Sequence, residues 1–392
     1  MTRRKMRVLS MVLVVVMVIG VLAACRNDAP AAGDGAIIVG VLAPLTGPVA
    51  QFGTAVEAGV QLYAEEFNAR GGVQIHLEWF DEEGQAALGV AGYHDLVDRG
   101  VTAIIGAVTS GVTMAVVPLA YEDNMPMITG TSTHYNVTVD ADTGHVFTNM
   151  FRSCFIDPFQ GYVMANFAFH EVGAQTAAIL YNNEVDYSIG LTEAFLEQAE
   201  VLGLEIVAVE NFQNATVDYR GQLTNIAQHS PDVLFVPAYY QDISVIGPQS
   251  QDVGLDTVLL GADGWATIID FMHDASSIEG AYFLTGFSPD VDDPQVQGFI
   301  ERFYDRHGLQ PNMFAAQAYD AAMILFAAIE RAVDAGYEPN TAEFKAAVIA
   351  NMAATDMTGV TGHITFDNLN NPQKTAVILH IVDGRETFWG YF

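Results

Sequence analysis

The chain has 392 residues, 51% of them hydrophobic and 16% charged, which supports a sizeable core and excludes global disorder. Its 47 acidic against 15 basic residues leave a formal charge of −32. That balance excludes a nucleic-acid partner or a basic patch on an anionic bilayer, because no basic face remains to meet phosphates. The length predicts two or three domains, or one large two-lobed body.

The first 24 residues read as an export leader. Arg3, Arg4, Lys5 and Arg7 make a positive start, and Val8 to Val21 is apolar but too short for the roughly 20 residues of a spanning helix. Leu22-Ala23-Ala24-Cys25 follows, and small residues before a cysteine resemble the processing site of bacterial lipoproteins. The expectation is a signal peptide at 1–24, acylation of Cys25 and a flexible Gly/Pro-rich tether at 25–35. Eleven cations then remain in the mature part, for a charge of about −36. Cys154 is the only other cysteine, so no disulfide is expected within the mature chain. It reads as a small buried hydrophobe.

From residue 36 the pattern alternates between apolar runs and helical spacing. Strands are predicted at Ile37–Leu42, Gln74–Phe80, Ala103–Gly106 and Met127–Thr129. Helices are predicted between them: one opened by a Thr54/Glu57 capping box and ended at Gly71-Gly72, one over Ala86–Asp98 and one over Gly111–Tyr121. The alternation restarts with helices near 159–172, 188–202, 220–229 and 243–253, and strands at 177–181, 205–209, 233–236, 258–260 and 282–284. Two βα series of this size predict two doubly wound, Rossmann-like lobes with parallel sheets. The tail reads as helices at 294–307, 314–335 and 341–352, then strands at 363–366 and 375–382 around a turn at 368–371. No internal sequence repeat is visible.

Catalytic signatures are missing: no GxGxxG, Walker A, HExxH, GxSxG or CxxC spacing occurs. Ten histidines are scattered, with His134 and His145 nearest to any candidate site. Glu82-Glu83 could be a working carboxylate pair but reads as a solvated loop. No enzyme, metal or cofactor is expected. A surface hydrolase is the rival from another class and lacks a nucleophile–base motif.

Three segments follow predicted strand ends, where open α/β sheets bind ligands. They are Gly106-Ala-Val-Thr109-Ser110-Gly111, Thr129-Gly-Thr131-Ser132-Thr133 and Gly261-Ala-Asp263-Gly264-Trp265. The first two offer hydroxyls and backbone N–H groups but no cation, so a carboxylate there would be held by neutral donors and a helix dipole. Asp263 offers a charge to an ammonium group. Together they describe a receptor for a zwitterion, although single Ser/Thr residues after strands commonly serve as caps and turns.

Four segments carry a family resemblance: Leu45-Thr-Gly-Pro-Val-Ala-Gln-Phe52-Gly53, Asn68-Ala-Arg-Gly-Gly72, Ile104-Ile-Gly-Ala-Val-Thr-Ser110 and Met127-Ile-Thr-Gly-Thr-Ser-Thr133. Their joint pattern resembles the branched-chain amino-acid binding proteins of ABC importers, the type I periplasmic binding proteins, over residues 36–392. The resemblance implies two lobes, 36–154 with 286–360 and 155–285 with 361–392, joined by a three-strand hinge. Crossovers are expected near Arg152–Asp157, Leu284–Ser288 and Gly359–Gly362. It implies that Ser110 binds the ligand carboxylate, that Thr131 contributes backbone groups and Thr133 its hydroxyl and N–H, that Asp263 pairs with the ammonium, that Tyr187 and Tyr239 close from lobe two, and that Phe52 is an aromatic wall. Relatives often carry Glu where Asp263 stands. The implied role is ligand capture by hinge closure for an ABC permease and ATPase complex, by a lipid-anchored, extracytoplasmic monomer whose ligand is an amino acid. The alternative is the same fold binding an amide, urea or an aromatic acid, or acting as a sensor module.

Overall fold

The continuous apolar run Ile37–Ala43 forms β1, almost wholly buried, as a strand covered by helices on both faces must be. β1 pairs in parallel with β2 (Ile75–Asp81) and β3 (Ala103–Ile105), and β4 (Met127–Thr129) and β5 (Met150–Arg152) continue the sheet. The strand order is β2-β1-β3-β4-β5. Helices α1 (Ala50–Ala69), α2 (Ala86–Asp98) and α3 (Ser110–Glu122) join these strands. The computed structural model describes residues 35–272 and 274–392. The expected leader, Cys25 and the tether up to Asp34 lie outside the described residues.

The second series is α4 (Asp157–Asn166), β6 (Thr176–Asn182), α5 (Asp186–Leu202), β7 (Glu205–Phe212), α6 (Arg220–Ala227), β8 (Val233–Phe235), α7 (Tyr240–Asp252), β9 (Val258–Gly261), the short α8 (Ile268–Phe271) and β10 (Tyr282–Thr285). Its parallel strands run β10-β9-β8-β6-β7, which repeats the order of the first sheet. The tail adds α9 (Pro294–His307), α10 (Met313–Asp334), α11 (Ala342–Ala353), the hairpin β11 (Asp356–Gly359) and β12 (Gly362–Thr365), and strands β13 (Val377–Val382) and β14 (Arg385–Tyr391). Ile37–Phe392 fold as one compact unit.

α9 shows its sequence logic plainly. Pro294 opens it, the Asp293 carboxylate accepts the N–H groups of Gln295 and Val296, and Gly308 with φ +72° ends it. The long apolar α10 is a core helix that lies against α1. A Cβ on Gly59 would fall 2.1 Å from the Ala315 carbonyl oxygen, so the glycine sets how closely the two helices approach.

Four expectations are corrected. Thr54 is not a cap: α1 begins at Ala50, and Thr54 donates back to the carbonyls of Ala50 and Gln51 from within the helix. Glu82 is not solvated but fully buried, with its Oε2 accepting the Gly84 N–H, while Glu83 is exposed. The second sheet is mixed, because β13 pairs antiparallel with both β10 and β14. The expected crossover at Gly359–Gly362 is the turn of the β11–β12 hairpin. The chain then stays against the first sheet, with Asn370 donating to the carbonyls of Phe147 and Met150, before β13 begins.

Candidate functional site

The carboxyl ends of the two sheets face a small shared cavity of about 10 Å³, room for about one water. Its lining includes Phe52 after β1, Ser110 after β3 and Thr131 after β4, with Tyr187 after β6, Tyr239 after β8 and Asp263 after β9. Corresponding strand ends of the two sheets thus supply one residue each. Both sheets have the 2-1-3-4-5 order, and ligands in such sheets bind at the point where that order reverses. Phe314 of α10 completes the apolar wall. A larger chamber opens outward past Thr109 and Tyr239 and is edged by Glu83, Glu184, Asp186 and Asp242.

Hydroxyls fix the lobe-one wall. Thr129 donates to the Ala107 carbonyl at 2.7 Å, Ser132 Oγ lies 3.1 Å from the Val108 carbonyl, and Thr113 and Ser132 share a 2.5 Å hydrogen bond. These contacts staple the end of β4 to the loop after β3. Thr131 spends its hydroxyl proton on the Val108 carbonyl at 2.7 Å and its N–H on Thr129 Oγ1 at 3.2 Å, so it has acceptors to offer but no spare donor. Ser110 opens α3, and its Oγ accepts the His134 N–H at 3.2 Å, which leaves the hydroxyl proton free. No side chain caps α3, so its first N–H groups face the cavity edge as ready donors.

Aromatic rings and one acid make the opposite wall. Tyr187 and Tyr239 stack at 5.1 Å with their planes 18° apart, and Phe52 meets Tyr239 edge-on at 5.5 Å and Phe314 at 4.3 Å. Tyr187 donates to Asp263 Oδ1 at 2.8 Å and accepts the Gly264 N–H at 2.7 Å, so its phenol is locked as a donor to the acid. A Cβ on Gly264 would come within 2.8 Å of that phenol oxygen. The indole of Trp265 packs under Gly261 and donates to the Val236 carbonyl at 2.9 Å. Asp263 is 2% exposed. Burial pushes its carboxyl up to about 6, while the Tyr187 hydrogen bond holds it back. Among the described residues it has no ion-pair partner.

Thr133 does not line the cavity. It lies buried behind it, its hydroxyl beside the Asp157 carboxyl and its carbonyl accepting the Asp157 N–H at 2.9 Å. That contact reveals two residues missed from the sequence. Asp157 is buried at the start of α4, with Oδ1 3.3 Å from the Gln160 amide and the carboxyl beside the Thr133 hydroxyl. Burial, reinforced by the charge of Asp263, raises its carboxyl well above the ordinary range. Gln160 also accepts the Asp263 N–H at 3.1 Å and so ties the two acids together. The signal was present in Asp157-Pro158 as a helix start; burial beside a second acid was not readable from it.

Arg152, fully buried, is a third residue missed. Its guanidinium donates to the carbonyls of Ser132 and His134 at 3.0 Å each, and to Thr138 Oγ1 at 3.3 Å. It holds the loop after β4 in shape, while its Nε–H is buried without a partner. Cys154 is buried beside it, and burial pushes its thiol up to about 12.

The periplasmic binding protein family model matches residues 36–385. A Leu/Ile/Val-binding protein homolog of Brucella melitensis biotype 1 is 26% identical over 299 residues, covering 76% of this chain and 79% of that protein. The solved leucine-binding protein LivK of Thermotoga maritima superposes with a TM-score of 0.82 at 29% identity, over 91% of this chain and 98% of that one. LivJ of Streptococcus pneumoniae, solved with isoleucine, gives 0.80 at 28% identity over the same shares.

The raised Asp263 carboxyl has a stability consequence. Its folded value lies above the unfolded one, so ligand-free protein loses stability as pH rises from about 4 through about 6. Asp263→Asn keeps an acceptor for Tyr187 but cannot ionise. Urea unfolding of the ligand-free variant should show a gain of about 2–3 kcal/mol over wild type at pH 8 that disappears near pH 4. Equal stabilities at pH 8 would contradict the shift.

Proposed function

This chain belongs to the periplasmic binding protein family, and we propose that it is the extracytoplasmic solute-binding component of an ABC importer, with an apolar, branched-chain-type amino acid as ligand. The observation that carries this reading is a cavity with helix N–H and hydroxyl donors on one lobe and a buried, uncompensated carboxylate on the other. The names of the Brucella, Thermotoga and Streptococcus relatives support the same ligand class.

In this reading the ligand carboxylate takes the free donors at the start of α3 and the Ser110 hydroxyl. The ammonium takes Asp263 and the acceptors of Thr131, with Asp157 and Thr133 behind them. Phe52, Tyr187, Tyr239 and Phe314 enclose the side chain. Contacts to both lobes shift the population toward the closed arrangement, which an ABC permease and ATPase complex then receives. The protein acts as a binding protein and not as an enzyme. Cys25 carries the lipid anchor: mass spectrometry of membrane-associated protein should find an acylated cysteine at the N-terminus, and an intact Met1 would contradict it.

Calorimetry with L-leucine and its deaminated analogue, 4-methylpentanoate, tests the assignment. Leaving the buried acid unpaired costs about 2–5 kcal/mol, so the analogue should bind at least tens of times more weakly. Asp263→Asn should abolish that discrimination. Equal binding of the two compounds to wild type would overturn the amino-acid assignment in favour of an aromatic acid, amide or other small ligand.

A further inference from the structure

Tyr240 sits where the two lobes touch, outside the cavity. It opens α7, is 1% exposed and is not among the cavity-lining residues, unlike its neighbour Tyr239. Its hydroxyl donates to the Pro48 carbonyl at 3.1 Å and accepts the Gln51 N–H at 3.4 Å. The Gln241 amide donates to the same Pro48 carbonyl. The Tyr240 ring meets Phe52 edge-on at 4.9 Å and Phe271 of α8 at 4.8 Å. Pro48, Gln51 and Phe52 follow β1 of the first sheet, whereas Tyr240, Gln241 and Phe271 belong to the second series. The hydrogen bonds of the seam therefore join the lobes without a cavity-lining residue between them, while the Tyr240 ring backs Phe52, which does line the cavity.

The lobe-one side of the seam is rigid. The Asp81 carboxylate accepts the N–H groups of Leu45, Thr46 and Glu83 and the Thr46 hydroxyl, which fixes the loop after β1. Those hydrogen bonds hold Asp81 below the usual carboxylate range against its partial burial. A Cβ on Gly53 would fall 2.0 Å from the Pro44 carbonyl oxygen, and one on Gly84 would fall 2.6 Å from the Val49 side chain. A loop held this tightly presents Pro48 and Phe52 as a fixed surface for Tyr240 to meet.

We propose that Tyr240 is a positioning residue that sets how far the closed arrangement is populated, and so tunes affinity without touching ligand. The proposal rests on the binding role argued above. Observed affinity scales with the fraction of molecules in the binding-competent arrangement, so a seam residue acts on every ligand by one common factor. A residue in contact with ligand acts on different side chains by different factors.

The test uses Tyr240→Phe, which keeps the ring and removes only the hydroxyl, and Gln241→Ala, which removes the second donor to Pro48. Calorimetry with L-leucine, L-isoleucine and L-valine should show Kd rising by a common factor of about three- to tenfold in Tyr240→Phe. Small-angle scattering of ligand-free protein should show a larger radius of gyration in both variants than in wild type. Unchanged Kd values with an unchanged radius, or factors that differ among the three amino acids, would overturn the proposal. If none of the three binds wild type, the binding reading fails by itself, and the ligand-free scattering comparison still decides the seam.

Discussion

A carboxylate buried without a cation governs this structure. Removing a charge from water costs several kcal/mol unless partners replace the lost hydration, and among the described residues Asp263 has only neutral ones. The Tyr187 hydroxyl is its main donor, and that hydroxyl is oriented by the Gly264 N–H. The same ring stacks on Tyr239, which meets Phe52 across the interlobe boundary. The aromatic wall is thus an extension of the acid's own solvation. At neutral pH the site holds a negative charge, which in the proposed reading a ligand ammonium satisfies.

The opposite wall solves the complementary problem with no cation at its surface. Thr113, Thr129 and Ser132 exchange hydrogen bonds among strand ends, and Arg152 spends its charge on loop carbonyls below the cavity. What remains directed at the cavity is neutral: the α3 N-terminus and the Ser110 hydroxyl. Donors fixed in advance cost little ordering when a carboxylate arrives. The two walls come from equivalent strand ends of two sheets with the same order, a repeat in topology that has no counterpart in visible sequence repetition.

Strand ends with a local signal were legible in the sequence. The apolar runs of β3, β4 and β9, and the Ser/Thr and Asp segments after them, identified most of the cavity lining, while Tyr187, Tyr239 and Phe52 came from the family resemblance. What failed depends on long-range contacts. Glu82 reads as loop but is buried under the loop that follows β1. Thr54 offers a cap that the backbone does not use, because α1 starts four residues earlier. β14 is rich in polar residues and becomes a strand only by pairing with β13, and three-residue β5 is defined by its neighbour β4. Asp157 and Arg152 lie in a stretch read as hinge, and their burial follows from contacts that no local pattern encodes: Arg152 with the loop after β4, Asp157 with Thr133 and Gln160.

Proton linkage tests the central claim most directly. Burial pushes the Asp263 carboxyl up to about 6, and an ammonium beside it would lower that value, so binding below pH 6 should expel a proton. L-leucine titrations at pH 5.5, in buffers of different ionisation enthalpy, should report release of more than about half a proton per ligand, with affinity weakening as pH falls further. Proton uptake, or no exchange at that pH, would contradict an ionised Asp263 as the partner of the ligand's ammonium.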